Sequence, residues 1–426
     1  MVTKKKLLIY AHYYTPDVAA TGQILQEMAE GLLDTFDITV ICTVPSYTGV
    51  IDNYYKENKL FIENINGVRV IRVPVPEFKK KSKISRIRNL ISYYVNAKKA
   101  TKIAGEHEYV MAVSQPPIIG GLLGLYGKKK LSSKNNDVKF IYQIQDFNPE
   151  QIEAVGYFKN KFIIEFLRSI DKNTCKKSNL VVTEGRDLVK TLKKRFNYEN
   201  VPKHVMICNW IDDKKVYPLS NCDDNITEFR KKYNLDNKFV IMYSGNIGLY
   251  YDLEGIIKVI EKFKGARTEK GDEVSFAFIG AGSILNKLVK YKEDNNINNV
   301  IFIPYQDKEK LIYSLNSADV HLCVNAKGIK GVSVPSKLYG IMAVAKPVLG
   351  IMENGSEGML VVNDAKCGIV CEPADYISIE NNIRFMIDNA NSDKLLNMGQ
   401  NGRQYLEKHL SMKSSIEKYK DAILNL

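Results

Sequence analysis

The sequence predicts an α/β protein made of two doubly wound domains. Three observations lead there. Short apolar runs of strand length alternate with stretches of helical period, the pattern of a parallel sheet covered by helices. The alternation occurs twice along 426 residues, a length that suits two domains. Between the two rounds, CNWIDDKKVYPLSNCDDN is polar and follows neither period. It places a linker near 210–222, a first domain at 1–210 and a second at 211–410. The last helical stretch, about 411–425, is expected to cross back to the first domain, an expectation that rests on the fold and not on periodicity.

In the first half KLLIYA is a strand, followed by a Gly/Pro/Thr loop and a helix with Ile24, Leu25, Met28, Ala29, Leu32 and Leu33 on one side. FDITVIC is the next strand. PSYTGVIDNYYKENKLFIENING reads as a long loop and VRVIRV as a strand. Residues 84–104 read as a helix. EYVMAVS, VKFIYQI and NLVVT are strands, separated by helices around 117–128 and 160–176. In the second half KFVIMYSG, EVSFAFIGAG, NVIFIP, DVHLCV, PVLGI and CGIVCEP are strands with helices between them, and Asp252 is placed to cap the helix after the first. Two such sheets predict a ligand cleft between their carboxyl ends.

Composition narrows the class. No run of 18 apolar residues predicts a membrane-spanning helix. MVTKKKLLIYAHYYTPD reads as a first strand and not as a signal peptide. Seven scattered cysteines without CxxC pairs predict reduced thiols, not a zinc site or a disulfide framework. The formal charge of +13 is confined to the first half. Residues 1–210 carry 33 Lys+Arg against 20 Asp+Glu, whereas residues 211–426 carry 28 of each. Such asymmetry predicts that the first half meets a polyanion or an acidic membrane surface.

The stretch GVSVPSKLYGIMAVAKP, 331–347, holds the strongest chemical signal. A Gly/Ser loop leads to Pro335, a residue suited to the first position of a helix. Ser336 and Lys337 then fall in its first turn. Backbone N–H groups, a hydroxyl and an ammonium converge at a positive helix end, which makes an anion site. Leu338, Ile341, Met342 and Ala345 recur at helical spacing and predict a buried face. The plainer reading is an ordinary helix with a solvated lysine.

Four stretches together resemble the family 4 glycosyltransferases: HYYTPDVAATGQ, YQIQDFNPE, MYSGNIGLYYDLE and VPSKLYGIMAVAKPVL. The resemblance covers essentially the whole chain. It is similar in particular to the branch of N-acetyl-L-fucosamine transferases of capsule and O-antigen synthesis in bacteria. The resemblance implies the GT-B fold, two Rossmann-like domains around a cleft. It also implies sugar transfer from a nucleotide-sugar to an acceptor, with retention at the anomeric carbon and without a bound metal. The chain departs from the family pattern in two places. Gly340 stands where the family's ribose-binding glutamate is expected, and Val332 where its partner glutamate is. Asn246 replaces the usual arginine after the second domain's first strand, with no lysine five residues on. Lys337, Lys327 and Lys330 are then the nearby cations for the diphosphate.

Within that frame the candidate residues are as follows. Gly22, at the start of the helix after strand one, permits close approach of backbone to a phosphate or sugar, or is a simple strand–helix turn. Asp146 stands at the carboxyl end of VKFIYQI. It either orients an acceptor hydroxyl and takes its proton, or hydrogen-bonds the turn at Pro149. His12 is a weaker candidate for proton transfer, since a lone histidine is often structural. Gly245 and Asn246 are placed to approach a donor phosphate, and Gly280 and Gly282 to border the nucleobase. Ser356 and Glu357 stand at a helix start. Glu357 either accepts from sugar hydroxyls or only complements the helix dipole.

Residues 79–102 hold nine Lys/Arg and no acid. Ile84, Ile87, Leu90, Ile91, Tyr94 and Val95 fit one helical face. The pattern is that of a helix lying on a membrane surface, with Lys79, Lys80, Lys81, Arg86 and Arg88 as contacts. NKFIIEFLR (160–168) would add apolar anchors. The other reading is a core-facing helix with solvated charges. No nucleic-acid-binding motif is present.

The expected activity is therefore transfer of an N-acetylated amino sugar from a UDP-sugar to a polyprenyl-diphosphate-linked saccharide, with no cofactor or metal. The expected location is the cytoplasmic face of the plasma membrane, as a peripheral protein. The alternatives are a UDP-N-acetylglucosamine 2-epimerase, or a membrane-docked nucleotide-sugar binder without activity.

Overall fold

The computed structural model describes residues 4–17, 19–57, 60–79, 82–134, 136–154 and 160–426. The chain divides into two compact units, Met1–Cys208 with Lys413–Leu426, and Asn209–Met412. In chain order unit 1 contains β1 (Lys5–Tyr10), α1 (Ala20–Gly31), β2 (Phe36–Thr43), β3 (Phe61–Ile65) and β4 (Val68–Val73). There follow α2 (Lys83–Ala104), β5 (Tyr109–Val113), α3 (Ile119–Leu131), β6 (Lys139–Ile144) and α4 (Glu150–Ala154). It continues through α5 (Lys161–Lys177), β7 (Leu180–Thr183), α6 (Arg186–Arg195) and β8 (His204–Met206).

Among the described residues, unit 1 carries one eight-stranded sheet in the order β3-β4-β2-β1-β5-β6-β7-β8. All neighbours pair in parallel except β3 with β4. The central strands are buried on both faces and read as continuous apolar runs, as parallel strands between helix layers must. The edge hairpin corrects the sequence reading, which took residues 45–67 as loop. Asn66 and Gly67 adopt positive φ, 51° and 91°, and join β3 to β4 with Ile65 opposite Val68. Asn-Gly between strands favours this two-residue turn.

Unit 2 contains α7 (Asp224–Lys232), β9 (Lys238–Ser244), α8 (Leu253–Glu261), β10 (Glu273–Ile279), α9 (Leu285–Asp294) and β11 (Val300–Ile303). Next come α10 (Leu311–Asn316), β12 (Val320–Val324), α11 (Lys337–Ala343) and β13 (Val348–Ile351). It ends with α12 (Glu357–Ala365), β14 (Gly368–Cys371), α13 (Tyr376–Asp388) and α14 (Asp393–His409). Its six-stranded sheet is parallel throughout, in the order β11-β10-β9-β12-β13-β14. Phe276, Phe278, Ile241 and Leu349 are fully buried in its core. Each such side chain contributes about 1.5–3 kcal/mol relative to exposure.

The last helix, α15 (Met412–Leu424), belongs to unit 1 from Lys413 onward. Ser415 donates to the Cys208 carbonyl at 3.0 Å, and Lys420 pairs with Asp34 at 2.6 Å. Ile416 fills the space above Gly31, where a side chain on α1 would collide with it. All seven cysteines are free thiols, and only Cys222 is exposed.

Candidate active site

In unit 2 the carboxyl ends of β9, β10, β12 and β13 carry most of the predicted donor residues. β9 ends at Ser244, and Gly245 follows with φ +148°. That conformation lies in the region glycine alone adopts readily. A second constraint acts at the same residue. A Cβ on Gly245 would overlap Lys337 Cε and lie 3.3 Å from Lys337 Nζ. The Lys337 side chain therefore runs across the bare backbone of Gly245.

α11 begins at Lys337, two residues later than Pro335, with Ser336 in the cap position but making no side-chain cap. Ser336 is exposed. Leu338, Ile341 and Met342 are buried as the spacing predicts, but Tyr339, Gly340 and Ala343 are buried too, so this short helix is enclosed on all sides. Lys337 is half-buried, not solvated. Its ammonium lies 3.6 Å from the centroid of the Tyr251 ring and 5.1 Å from that of Tyr243. Burial pushes its pKa down to about 8, offset slightly by Cys323. Among the described residues no carboxylate forms an ion pair with it.

Gly280 and Gly282 have a different reason to be glycine from the one the sequence suggested. A Cβ on Gly280 would strike the Gly245 carbonyl, and one on Gly282 the Ile247 carbonyl. Gly245 and Ile247 donate to the carbonyls of Ile279 and Ala281, each at 2.9 Å. The two loops thus pack backbone on backbone, and this contact already requires both glycines. Asn246 is exposed, with its carbonyl accepting from the Tyr243 hydroxyl at 2.7 Å.

Asp252 sits at the start of α8 but does not cap it. Its φ of 44° turns the residue left-handed, and its carboxylate accepts from the Tyr376 hydroxyl at 2.9 Å. Lys327 is exposed and lines a cavity of about 410 Å³ with Gly248, Asp252, Glu254 and Ala374. Lys330 is tied back. Its ammonium donates to the Asn354 carbonyl, and its backbone N–H to Glu353 at 2.9 Å. Ser356 caps α12 by position only, and its buried Oγ has no hydrogen-bond partner among the described residues. Glu357 is 2% exposed, so it is a buried group of the helix start. Gly340 faces apolar neighbours: a Cβ there would lie 3.3 Å from Leu315 Cδ1 and 3.6 Å from Ile211 Cδ1.

In unit 1, Gly22 lies in the first turn of α1 against the backbone of Tyr13, whose carbonyl oxygen would be 3.1 Å from an added Cβ. His12 is buried, with Tyr13 and Tyr93 rings at 4.1 and 4.9 Å. Burial pushes its pKa down to about 4, so the ring is neutral in the core near pH 7. The weaker proton-transfer candidate is thus a buried ring packed among tyrosines. Asp146 follows β6 and is half-buried. Gln115 donates to its Oδ2 at 2.9 Å, and Ser114 Oγ accepts from its backbone N–H at 3.2 Å.

The loop that carries Asp146 is anchored by a cluster the sequence reading missed. Arg195 of α6 pairs with Asp171 and with Glu150, donates to the Asn148 carbonyl at 3.3 Å and stands 4.7 Å from the Phe147 ring. Asp171 also accepts from the Tyr142 hydroxyl at 2.6 Å. Paired in this way, the buried charges hold the QDFNPE turn in one geometry. Nothing local in the sequence joins α6 to that turn.

The basic helix α2 turns its small and polar residues inward. Asn89, Tyr93, Ala97, Ala100, Thr101 and Ala104 are buried, whereas Ile84 is 82% and Ile91 56% exposed. Leu90 and Tyr94 are half-buried. Arg86 and Arg88 are exposed, as is Lys79, while Lys80 and Lys81 lie outside the described residues. Phe162 and Phe166 at the start of α5 are 88% and 66% exposed. α2 packs on α3 and α3 on α5, so the three share one layer. Among the described residues no helix is long and apolar enough to cross a membrane. Nor do any three His, Cys, Asp or Glu side chains among them cluster as metal ligands.

Residues 225–405 match the model of the family described as Glycosyl transferases group 1. The chain is 27% identical over 288 residues to a probable glycosyltransferase, WbjE, of Pseudomonas aeruginosa, covering 66% of this chain and 67% of that one. It is 25% identical over 351 residues to WcaI of Escherichia coli (strain K12), a putative colanic acid biosynthesis glycosyl transferase, covering 80% and 81%. Among solved structures it is similar to Anabaena Alr3699/HepE in complex with UDP and glucose, with a TM-score of 0.69, 13% identity, and coverage of 99% of this chain and 100% of that one. The chain thus has the GT-B fold and is an enzyme of the glycosyltransferase class, with a group 1 glycosyl transferase domain in its second unit.

Proposed function

We propose that this glycosyltransferase moves an N-acetylated amino sugar, such as N-acetyl-L-fucosamine or a related hexosamine, from a UDP-sugar to a polyprenyl-diphosphate-linked saccharide. The process it serves is bacterial surface polysaccharide biosynthesis, of the capsule or O-antigen kind. The observation that carries the donor half is the ammonium of Lys337 laid over Gly245 at the carboxyl edge of the group 1 domain. The colanic acid relative and the UDP held by the Anabaena neighbour point the same way.

On this reading Lys337, the backbone N–H groups near Gly245 and Ser336 take the diphosphate. Lys337 stabilises the negative charge that develops as the glycosidic bond to phosphate breaks. Electrostatic stabilisation of that kind is often the largest catalytic contribution. Lys327 is the further cation for the donor, and Ser356 with Glu357 belongs to the sugar side. A lysine supplies the positive charge without a bound metal. Asp146, held by Gln115, orients the acceptor hydroxyl. Transfer proceeds with retention.

Unit 1 meets the anionic inner face of the plasma membrane. The exposed isoleucines of α2 and phenylalanines of α5 enter the interface while Lys79, Lys80, Lys81, Arg86 and Arg88 lie among lipid phosphates. Apolar side chains left exposed beside basic ones are the mark of an interfacial surface. Each basic residue near such a surface adds about 1 kcal/mol of attraction.

The test is incubation of purified protein with UDP-, GDP- and dTDP-sugars and a lipid-linked saccharide acceptor. The expected result is UDP release coupled to a longer lipid-linked product. Formation of UDP-ManNAc from UDP-GlcNAc without acceptor would identify an epimerase instead. Saturable UDP binding with no product from any donor would identify a binder.

A further inference from the structure

We infer that Tyr251, backed by Tyr243, is a positioning residue of the donor site: the two rings hold the Lys337 ammonium over the turn at Gly245 in the place where a carboxylate would normally hold a lysine. The inference rests on the donor reading of Lys337 given above.

The geometry is specific. The Lys337 nitrogen lies 3.6 Å from the Tyr251 centroid, well inside the range of about 6 Å in which a ring face attracts a cation. Tyr243 stands second, at 5.1 Å. The two rings are 6.0 Å apart at 59°, and Tyr243 is fully buried, with the Phe278 ring also 6.0 Å from it. Tyr243 is therefore fixed by the core. Its hydroxyl donates to the Asn246 carbonyl at 2.7 Å, so the ring that backs the ammonium also fixes the turn the ammonium crosses. Tyr251 closes the short 3₁₀ turn Leu249–Tyr251, which joins that loop to α8.

A lysine in an apolar setting has two ways out. It sheds its proton, or it swings into water. Ring faces oppose both, because they attract the cation and not the amine. They also leave the ammonium's N–H donors unused, whereas a carboxylate would occupy them and repel a diphosphate. A pair of ring faces is thus the support that keeps a half-buried cation charged and open to an incoming anion. Among the described residues the groups facing Lys337 are Tyr251, Tyr243 and Cys323. Burial raises the pKa of both the Tyr243 hydroxyl and the Cys323 thiol, the latter to about 12, so neither bears charge near neutrality.

The test compares wild type, Tyr251→Phe and Tyr251→Leu, full length. The ε-CH2 signal of Lys337 is followed by NMR in lysine-labelled protein, with Lys337→Arg to assign it, and UDP affinity is measured by calorimetry from pH 7 to 9. Wild type and Tyr251→Phe are expected to show the signal shifted upfield by the ring, with equal UDP affinity. Tyr251→Leu is expected to lose the shift and bind UDP about tenfold more weakly, with the weakening at high pH setting in earlier. Loss of the ring shift with no change in UDP affinity or its pH profile overturns the inference, as does an unshifted signal in wild type. A shifted signal in wild type with no UDP binding at any pH overturns the donor reading itself, and with it any role for Tyr251 in positioning.

Discussion

Lys337 Cε occupies the space that a side chain on Gly245 would need, and the Lys337 nitrogen lies 3.3 Å from that point. The pair explains two residues at once. Gly245 is glycine because the lysine crosses it, and the lysine is held at the sheet edge because Gly245 lets it through. Gly245→Ala should therefore move the lysine without touching its charge. We expect turnover to fall by about 10²-fold with the native fold retained, as a misplacement near 1 Å does to a positioned group. Steady-state kinetics with circular dichroism on the same preparation checks it.

Lys337 also sets a pH dependence of stability. Its pKa in the native state is about 8, below the ordinary 10.5, so the unfolded chain binds more protons between those values. Stability contributed at this position therefore rises as pH increases from about 8 to 10.5, and the cost of holding the charge is fully present below 8. Lys337→Met should flatten that rise and leave stability at pH 7 equal or higher, by about 1 kcal/mol, while removing activity. Urea unfolding from pH 7 to 10.5 measures it.

His12 and His321 act at the acid end. Both are buried with pKa values pushed down to about 4 by burial, and His321 is bonded to the Leu315 carbonyl at 2.9 Å. Each stays neutral in the native state while the unfolded chain takes up a proton below about 6.5. Their contribution is complete above pH 6.5 and is lost as pH falls toward 4, on the order of 3 kcal/mol for each. Thermal melts of His12→Gln from pH 4 to 7 should show a shallower acid decline than wild type.

The exposed residues of α2 and α5 make a separable prediction. Replacing Ile84, Phe162 and Phe166 by Ser should lower binding to vesicles containing anionic lipid by about tenfold or more, with little change in melting temperature. Vesicle flotation checks it. Unchanged binding would remove these helices from the membrane account.

The strand–helix alternation was legible because it is written in local periodicity, and Lys337 because Pro335 and the glycines mark a helix start. The β3–β4 hairpin was missed because FIENI alternates weakly and carries charge, although the Asn-Gly pair was there to see. The pair of rings at Lys337 was not legible. Tyr243 and Tyr251 lie far from it in sequence and look like core aromatics, as Tyr243 also is. The spacing of Ile84, Ile87 and Ile91 was plain, but not which way they faced. That depends on Ala97, Ala100 and Ala104, whose small size lets α2 approach its neighbours with the other face, and on Tyr93, which is buried beside them. Arg195 was invisible for a similar reason, since its partners come from α5, from α4 and from the turn before α4, all distant from it in sequence.

The most direct measurement is the rate of UDP release from a UDP-sugar, with lipid-linked acceptor, by wild type and by Lys337→Ala at pH 7.5. A cation that stabilises the leaving diphosphate predicts a fall in kcat of about 10²–10³-fold in the variant, with its fold intact. Full turnover by Lys337→Ala would contradict the account.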